Sequence, residues 1–398
     1  MISEDQARTK ILEAVQRLPP RKLPILEALD YFAAKDYLAH VPLPGFDNSA
    51  MDGYAVIASE ASSGKRLRVV GEQRAGLNRR LQVSKGEAVR IFTGGPIPVG
   101  ADAVVMQEDV TRDGEEIVLN VDVDPGEFVR RGGCDLSQGQ KILGVGDRIG
   151  AATVGLLASQ GFTEVSVRGE VRAAIISSGD ELAEAGEQLQ SGQIYDSNLV
   201  MLQSLTKLCG ATVAFSRHCR DDNAALCSAF EAAAQNHILI VAGGVSVGEH
   251  DLVQSTLRSL GAKIDIWRVA IKPGKPFLFG RLGDCFVFGL PGNPVSAFVT
   301  FLQFVRPAIL KMMGATGLDL PKVPAKLSRD VRNDGDRVHY LRGRITDGTF
   351  APVGRQESHA LFGLSQSDAL LRVDVGESLR AGEMVVVQIW DSVSARGN

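Results

Sequence analysis

Cysteine is scarce in this chain. Five occur in 398 residues, at 134, 209, 219, 227 and 285, an odd number with no C-x-x-C pair. That usage disfavours a secreted disulfide framework and a structural zinc site. Aromatic residues make up only 6% and are dispersed, so no stacking platform for single-stranded nucleic acid is apparent. Positive charge is not in excess either. The formal net charge is −4, and a chain without a basic field has no general attraction to nucleic acid or anionic lipid. The most apolar stretch, residues 285–313, is interrupted by Pro291, Gly292, Pro294 and Pro307. It holds no unbroken run of ~20 apolar residues, which argues against a membrane span. The first ten residues are polar and charged, unlike a signal peptide, so the expected location is cytoplasmic. The six histidines form no H-E-x-x-H or other paired ligand motif.

Glycine, by contrast, is abundant: 43 of 398 residues, with no Gly-X-Y period and only 16 prolines. Collagen and low complexity are thereby excluded, and the glycines belong where folded backbone needs positive φ or a close approach. A hydrophobic content of 44% with 23% charged residues is that of a folded, soluble protein. At roughly 100–200 residues per domain, the length suggests two to four domains.

Patterning divides the chain further. Ser3 followed by Gln6 reads as a capping box opening a helix that carries Ile11, Leu12 and Val15. A second helix is expected from near Pro24, with Ile25, Leu29, Phe32 and Ala33 on one face. Residues 41–141 show short alternating runs punctuated by Gly, Pro and Asp, the mark of a β-rich unit, and a helix returns at 150–161. From 171 onward strands and helices alternate, with strands at 171–177, 211–216, 237–242 and 286–290. Helices are expected at 197–208, 223–234, 252–260 and 295–313. This is the signature of βαβ units and a mostly parallel sheet, whose ligands bind at the carboxyl ends of the strands. Alternation resumes after Pro321 as a small β domain. The expected division is a helical linking part at 1–45 and 141–170, an inserted β-rich domain at 46–140, an α/β domain at 171–318 and a β domain at 319–398.

Several loops carry chemistry. The run Phe46-Asp47-Asn48-Ser49-Ala50-Met51-Asp52-Gly53-Tyr54 concentrates carboxylates and turn formers between a helix and a strand. Thr93-Gly94-Gly95-Pro96 offers adjacent N–H groups to an anion, or simply a turn. At Ser177-Ser178-Gly179-Asp180-Glu181, two acids end a buried strand, which suits a metal or proton transfer, while Asp180 could also cap a following helix. A strand ending in Gly243-Gly244-Val245-Ser246-Val247-Gly248 presents N–H groups to a phosphate before a helix, with Asp251 placed for a bridging Mg²⁺. Glu249 follows Gly248 where a Walker loop has lysine. Lys272-Pro273-Gly274-Lys275-Pro276 holds two point charges stiffly, suited to an oxyanion. Gly289-Leu290-Pro291-Gly292-Asn293-Pro294 again ends a strand ahead of a helix. Chemistry alone therefore reads as metal-assisted transfer at a phosphate, with Asp180, Glu181 and Asp251 toward Mg²⁺ and both lysines toward an incoming anion. The rival is a serine hydrolase: Gly244-Val245-Ser246-Val247-Gly248 fits a nucleophile elbow, with Asp265 and His339 or His359 to complete a triad. A non-catalytic scaffold is a third class.

These motifs, in this order along nearly the whole chain, resemble the molybdopterin molybdenumtransferase family, to which the E domain of gephyrin is related. The resemblance implies Mg²⁺-dependent insertion of molybdate into adenylylated molybdopterin, releasing AMP and forming molybdenum cofactor. It implies a multidomain α/β plus β fold: a central mostly parallel sheet, an inserted β-rich domain, an N-terminal helical part and a small C-terminal β barrel. It also implies a homodimer with a site shared between subunits, and the preceding molybdopterin adenylyltransferase as a partner. Matched by motif, the functional positions are Asp52, Thr93, Asp135, Glu181, Asp221 and Asp251, with Lys272, Lys275, Pro291, Asn293 and Pro294 at the substrates. Gly243, Gly244 and Ser246 would cradle the pyrophosphate, and Asp251 with Glu181 would hold the metal. Cys134 stands where the family usually has an acid before Asp135, and the match at Asp221 extends equally to Asp222. Arg342 and Ser358 are candidate molybdate contacts in the C-terminal domain.

Overall fold

A computed structural model of the chain describes residues 1–76, 79–245 and 252–390. It contains two compact units. One comprises Met1–Lys35, Val145–Gly150 and Glu164–Asn398, the other Asp36–Gly144 and Ala151–Thr163.

In the first unit, helix Glu4–Ala14 starts as its sequence requires. Ser3 Oγ accepts the Gln6 N–H and the Gln6 side chain accepts the Ser3 N–H, each at 3.1 Å. The second helix expected near Pro24 does not form. Pro20–Pro24 is instead a strand paired with Glu164–Arg168, and only one tight turn, Ile25–Ala28, follows. The periodicity misleads because Leu26 and Leu29 are exposed rather than core-facing. Asp30 then turns the chain at φ 69, and Phe32 and Ala33 bridge to Arg148 and Val167.

The central sheet has the order Thr212–Cys219, Arg172–Ser178, Ile238–Ala242, Cys285–Leu290, Leu278–Leu282, Lys263–Trp267. Its first four strands are parallel, and the last two run antiparallel to their neighbours. Strand residues alternate between two cores. Ile175, Ile238 and Ile240 pack with the helices Ser197–Leu208 and Pro294–Thr300. Ala174, Ile176, Leu239 and Val241 pack with Asn223–Ala233 and Leu252–Ser259 on the other face. Burial on both faces is why these strands read as continuous apolar runs.

The long apolar helix spans Pro294–Met312, passing Pro307 after a widened turn at Phe301–Val305. Among the described residues it is the one helix long and apolar enough to cross a membrane, and 89% of that window is buried in the protein core. The C-terminal strands Lys322–Leu327, Val338–Thr346, Thr349–Pro352, Ala369–Val373 and Met384–Ile389 close into a five-stranded barrel around Leu341, Phe350, Leu371 and Val387. Closure removes free edges. Ile271–Lys272 adds to it, running parallel to Val338 and His339.

The second unit holds a six-stranded sheet ordered Ala103–Met106, Gly53–Val56, Glu87–Ile91, Arg66–Gln73, Glu116–Leu119, Val110–Asp113. Tyr54, Val56, Leu67, Val105 and Ile117 form its main core.

Candidate active site

Because Arg172–Ser178, Ile238–Ala242 and Cys285–Leu290 are adjacent and parallel, the loops leaving them open at one edge of the sheet. They line a cleft of about 1220 Å³ through Ser178, Gly179 and Glu181, then Gly243 and Gly244, then Pro291 to Pro294. Lys272–Pro276 contributes a further wall, and the barrel supplies Arg337, His339 and the residues Gln356 to His359. In this lining the positions of Gly243 and Gly244 admit only glycine. Gly243 has φ 86, and a Cβ on it would stand 2.3 Å from the Ser178 carbonyl oxygen. Gly244 has φ 64, and its Cβ would stand 2.5 Å from Val253 Cγ2. The strand therefore presents bare backbone to the cleft, as close approach of a ligand requires.

The polar lining is tied down by side chains from several elements. Ser178 Oγ donates to Asp221 Oδ1, and the Asp221 N–H donates to Asp180 at 3.2 Å. Asp222 faces elsewhere and caps Asn223–Ala233 by accepting the Ala225 N–H at 2.8 Å. Of the two adjacent acids, Asp221 lines the cleft. Asp180 caps no helix, since a short strand, Leu182–Ala183, follows it. Asn198 Nδ2 donates to the Gly292 carbonyl at 2.6 Å, while its Oδ1 and Asp196 Oδ2 are buried without partners. Asn293 precedes helix Pro294–Thr300 yet does not cap it with its side chain. Its amide donates instead to Ser358 Oγ at 3.0 Å, and the Ser358 carbonyl accepts the Val295 N–H at 3.0 Å. The barrel loop thus substitutes for the missing cap and is fixed against the sheet's edge.

Cations gather on one part of the lining. Lys272 and Lys275 are exposed to the cleft, and among the described residues no carboxylate lies within ion-pair distance of either ammonium. Arg337 pairs with Asp336 at 3.0 Å and donates to the Ile271 carbonyl at 3.4 Å. His339 is only 8% exposed. Burial, reinforced by the charges of Lys272, Arg337 and Arg342, pushes its pKa down to about 4, so it is neutral at pH 7. Arg342 is not a cleft residue. It is 1% exposed and donates to the Glu357 carbonyl at 3.3 Å and to the Arg355 carbonyl, propping the loop that carries Ser358.

In the second unit, Asp52 and Thr93 meet. The Thr93 N–H and Oγ1–H both donate to Asp52 Oδ1, at 2.7 and 2.8 Å, and hold its carboxyl below the usual range. The Thr93-Gly94-Gly95 run is consequently not an anion nest. Its three N–H groups are already used, by Asp52, by the Ser49 carbonyl and by the Phe92 carbonyl. Asp47 accepts from Arg131 at 2.6 Å and from the Gly132 N–H at 2.8 Å, which lowers its pKa. Cys134 and Asp135 are exposed on the same stretch of chain.

Three family descriptions match the chain in order: the MoeA N-terminal region (domain I and II) over residues 2–161, a probable molybdopterin binding domain over 174–311, and the MoeA C-terminal region (domain IV) over 324–390. The molybdopterin molybdenumtransferase of Haemophilus influenzae is 37% identical over 98% of both chains. That of a Nostoc species is 37% identical over 91% of this chain and 88% of its own. The crystal structure of a molybdopterin biosynthesis MoeA protein from Pyrococcus horikoshii superposes with a TM-score of 0.85 at 28% identity, covering 98% of this chain and all of the other.

The chain belongs to the molybdopterin molybdenumtransferase family.

It is accordingly a transferase of molybdenum cofactor biosynthesis, which displaces the hydrolase and scaffold alternatives. Of the residues singled out by sequence for this transferase, the structure brings Glu181, Asp221, Gly243, Gly244, Lys272, Lys275, Pro291, Asn293 and Pro294 into one cleft. Asp52, Thr93 and Asp135 belong to the other unit. Ser246 and Asp251 lie outside the described residues. Among the described residues no group of three His, Cys, Asp or Glu side chains could hold a metal. Sequence reasoning missed Arg337, Asp196 and Asn198 as cleft residues, and named His339 only as a triad candidate for the hydrolase alternative. Arg337 precedes a barrel strand and the other two begin a helix, so local pattern gives these three a purely structural reading.

Proposed function

We propose that the cleft carries out the insertion of molybdate into adenylylated molybdopterin, releasing AMP, with Mg²⁺ as the cofactor. The observation that carries this reading is the convergence, in one cleft, of bare glycine backbone at a strand end with two lysines that have no carboxylate within ion-pair distance among the described residues. Bare backbone at Gly243 and Gly244 suits a pyrophosphate, which approaches closely only where no Cβ intervenes. The Gly243 N–H is given to the Leu290 carbonyl at 3.2 Å, which leaves the Gly244 N–H as the donor of the pair. Lys272, Lys275 and Arg337 suit a small dianion such as molybdate, the second substrate. Neutral His339 adds a polar group there without opposing their charge.

The donor set fits Mg²⁺. Glu181 and Asp221 offer hard carboxylate oxygens, and Mg²⁺ is commonly held by one or two carboxylates plus substrate phosphates rather than by an all-protein cage. Glu181, with Asp251 by its place in the sequence, would hold it, and the ion would neutralise charge developing on the phosphate oxygens as the anhydride breaks. Ser178, through its hydrogen bond, keeps the Asp221 carboxylate oriented. The roles of Asp52, Thr93 and Asp135 in the reaction belong to the same reading. So do the homodimer, a working contact with the adenylyltransferase of the preceding step, and a cytoplasmic location. The test is to incubate the protein with adenylylated molybdopterin, Mg²⁺ and molybdate and to measure AMP. Release that depends on molybdate and stops on chelation supports the reading; molybdate-independent release contradicts it.

A further inference from the structure

We propose that the N-terminal segment is a positioning strap for the lysine wall of the cleft, with Glu4 as its positioning residue. The inference rests on the reading of Lys272 and Lys275 as the oxyanion-binding pair. Two independent attachments carry it. First, Ile2 bridges Val269, donating its N–H to the Arg268 carbonyl at 3.5 Å and accepting the Ala270 N–H at 2.9 Å. The backbone it grips is the one that receives Lys275, since the Val269 N–H donates to the Lys275 carbonyl at 3.2 Å. Second, Glu4 accepts the Tyr340 hydroxyl at 2.5 Å and meets Arg372 Nε at 3.4 Å. Tyr340 directly follows His339, the register partner of Lys272. Each lysine therefore sits within a few residues of backbone or side chain that the first four residues hold.

Glu4 is a costly choice for mere packing. It is 6% exposed, and burial pushes its carboxyl pKa up despite the Tyr340 and Arg372 contacts. The helix behind it buries Ala7 and Ile11 in an apolar core, where a hydrophobic residue at position 4 would pack without desolvation cost. What a buried, doubly bonded carboxylate adds is direction. It fixes where Tyr340 lies along its strand, and with it the register of His339 against Lys272.

The test compares kinetic constants in full-length variants. Glu4→Ala is expected to raise the KM for molybdate about tenfold while the KM for adenylylated molybdopterin stays within about twofold. Glu4→Gln, which keeps an acceptor for the Tyr340 hydroxyl, should recover most of the loss. Tyr340→Phe removes only that hydroxyl and should reproduce the Glu4→Ala effect if the latter folds poorly. Ala7→Gly loosens the same helix without touching Tyr340, and should lower the melting temperature with both KM values unchanged. A molybdate KM in Glu4→Ala and Tyr340→Phe no higher than in Ala7→Gly would overturn the strap, as would equal rises for both substrates. Lys272→Ala distinguishes failure of the strap from failure of the oxyanion reading beneath it. If its molybdate KM rises while that of Glu4→Ala and Tyr340→Phe does not, the strap alone fails. If Lys272→Ala changes nothing, the oxyanion reading fails and the strap with it.

Discussion

Replacing Gly243 by alanine perturbs the cleft at the point where its geometry is least forgiving. The added Cβ would stand 2.3 Å from the Ser178 carbonyl oxygen, about 1 Å inside ordinary contact, and the residue must keep φ 86. The left-handed conformation alone costs roughly 1–2 kcal/mol. The overlap adds about 1–3 kcal/mol because the atom it meets is buried strand backbone, not a flexible side chain. Gly283→Ala separates the two effects: Gly283 has φ 60, yet nothing lies within 4 Å of its Cβ. At roughly 2–4 °C per kcal/mol for a unit of this size, Gly283→Ala should melt about 3–6 °C below wild type and Gly243→Ala about twice as far below. The catalytic effect should diverge more. Moving Ser178 by ~1 Å also moves Asp221, which Ser178 holds, so kcat/KM for AMP release should fall about 100-fold in Gly243→Ala. In Gly283→Ala it should be unchanged. Differential scanning calorimetry and an AMP assay read both quantities. Equal melting shifts, or a Gly243→Ala enzyme within twofold of wild type, would show that the Ser178 contact does not set the cleft's geometry.

Two other predictions concern neighbouring side chains. Asp222→Ala should cost about 1 kcal/mol through the lost cap and leave turnover intact, whereas Asp221→Asn should abolish most turnover with little change in melting; the reverse pattern in paired melting and AMP assays would exchange their roles. His339 should make stability acid-sensitive. Its folded pKa of about 4 lies below the ordinary value of 6.5, so the neutral ring favours the folded state above about pH 6.5. That contribution, up to about 3 kcal/mol, is lost as pH falls from 6.5 toward 4. The difference between wild-type and His339→Gln stability curves should slope across that window, and a flat difference would show that the imidazole titrates normally.

How much was legible in the sequence depended on how local the cause was. The capping box of Ser3 and Gln6 is a contact within one turn and could be read directly. Strands such as Ile238–Ala242 are buried on both faces, so their composition announces them. The cleft loops could be found because glycine and proline at strand ends carry their own steric reasons. Where tertiary partners decide, the sequence was silent or misleading. The apolar period at Ile25 and Leu29 looked helical, but the exposed Leu29 and the turn at Asp30 leave it nothing to pack against. The run Thr93-Gly94-Gly95 reads equally as an anion site or a turn until Asp52, Ser49 and Phe92 are seen to take its three N–H groups. Arg337 and His339 join the cleft because a distant segment, Ile271–Lys272, pairs beside them, and no local pattern reports a parallel pairing 67 residues away. Asp221 and Asp222 are indistinguishable by type, and only the helix start at Asn223 separates their roles.

The functional reading turns on whether the lysine wall of the sheet-edge cleft receives molybdate. AMP release measured against molybdate concentration, in wild type and in Lys275→Ala, decides it. The molybdate requirement should rise at least about tenfold in the variant, with the requirement for adenylylated molybdopterin changed less than about twofold. Equal shifts for both substrates, or none, would mean that the lysines do not hold the anion.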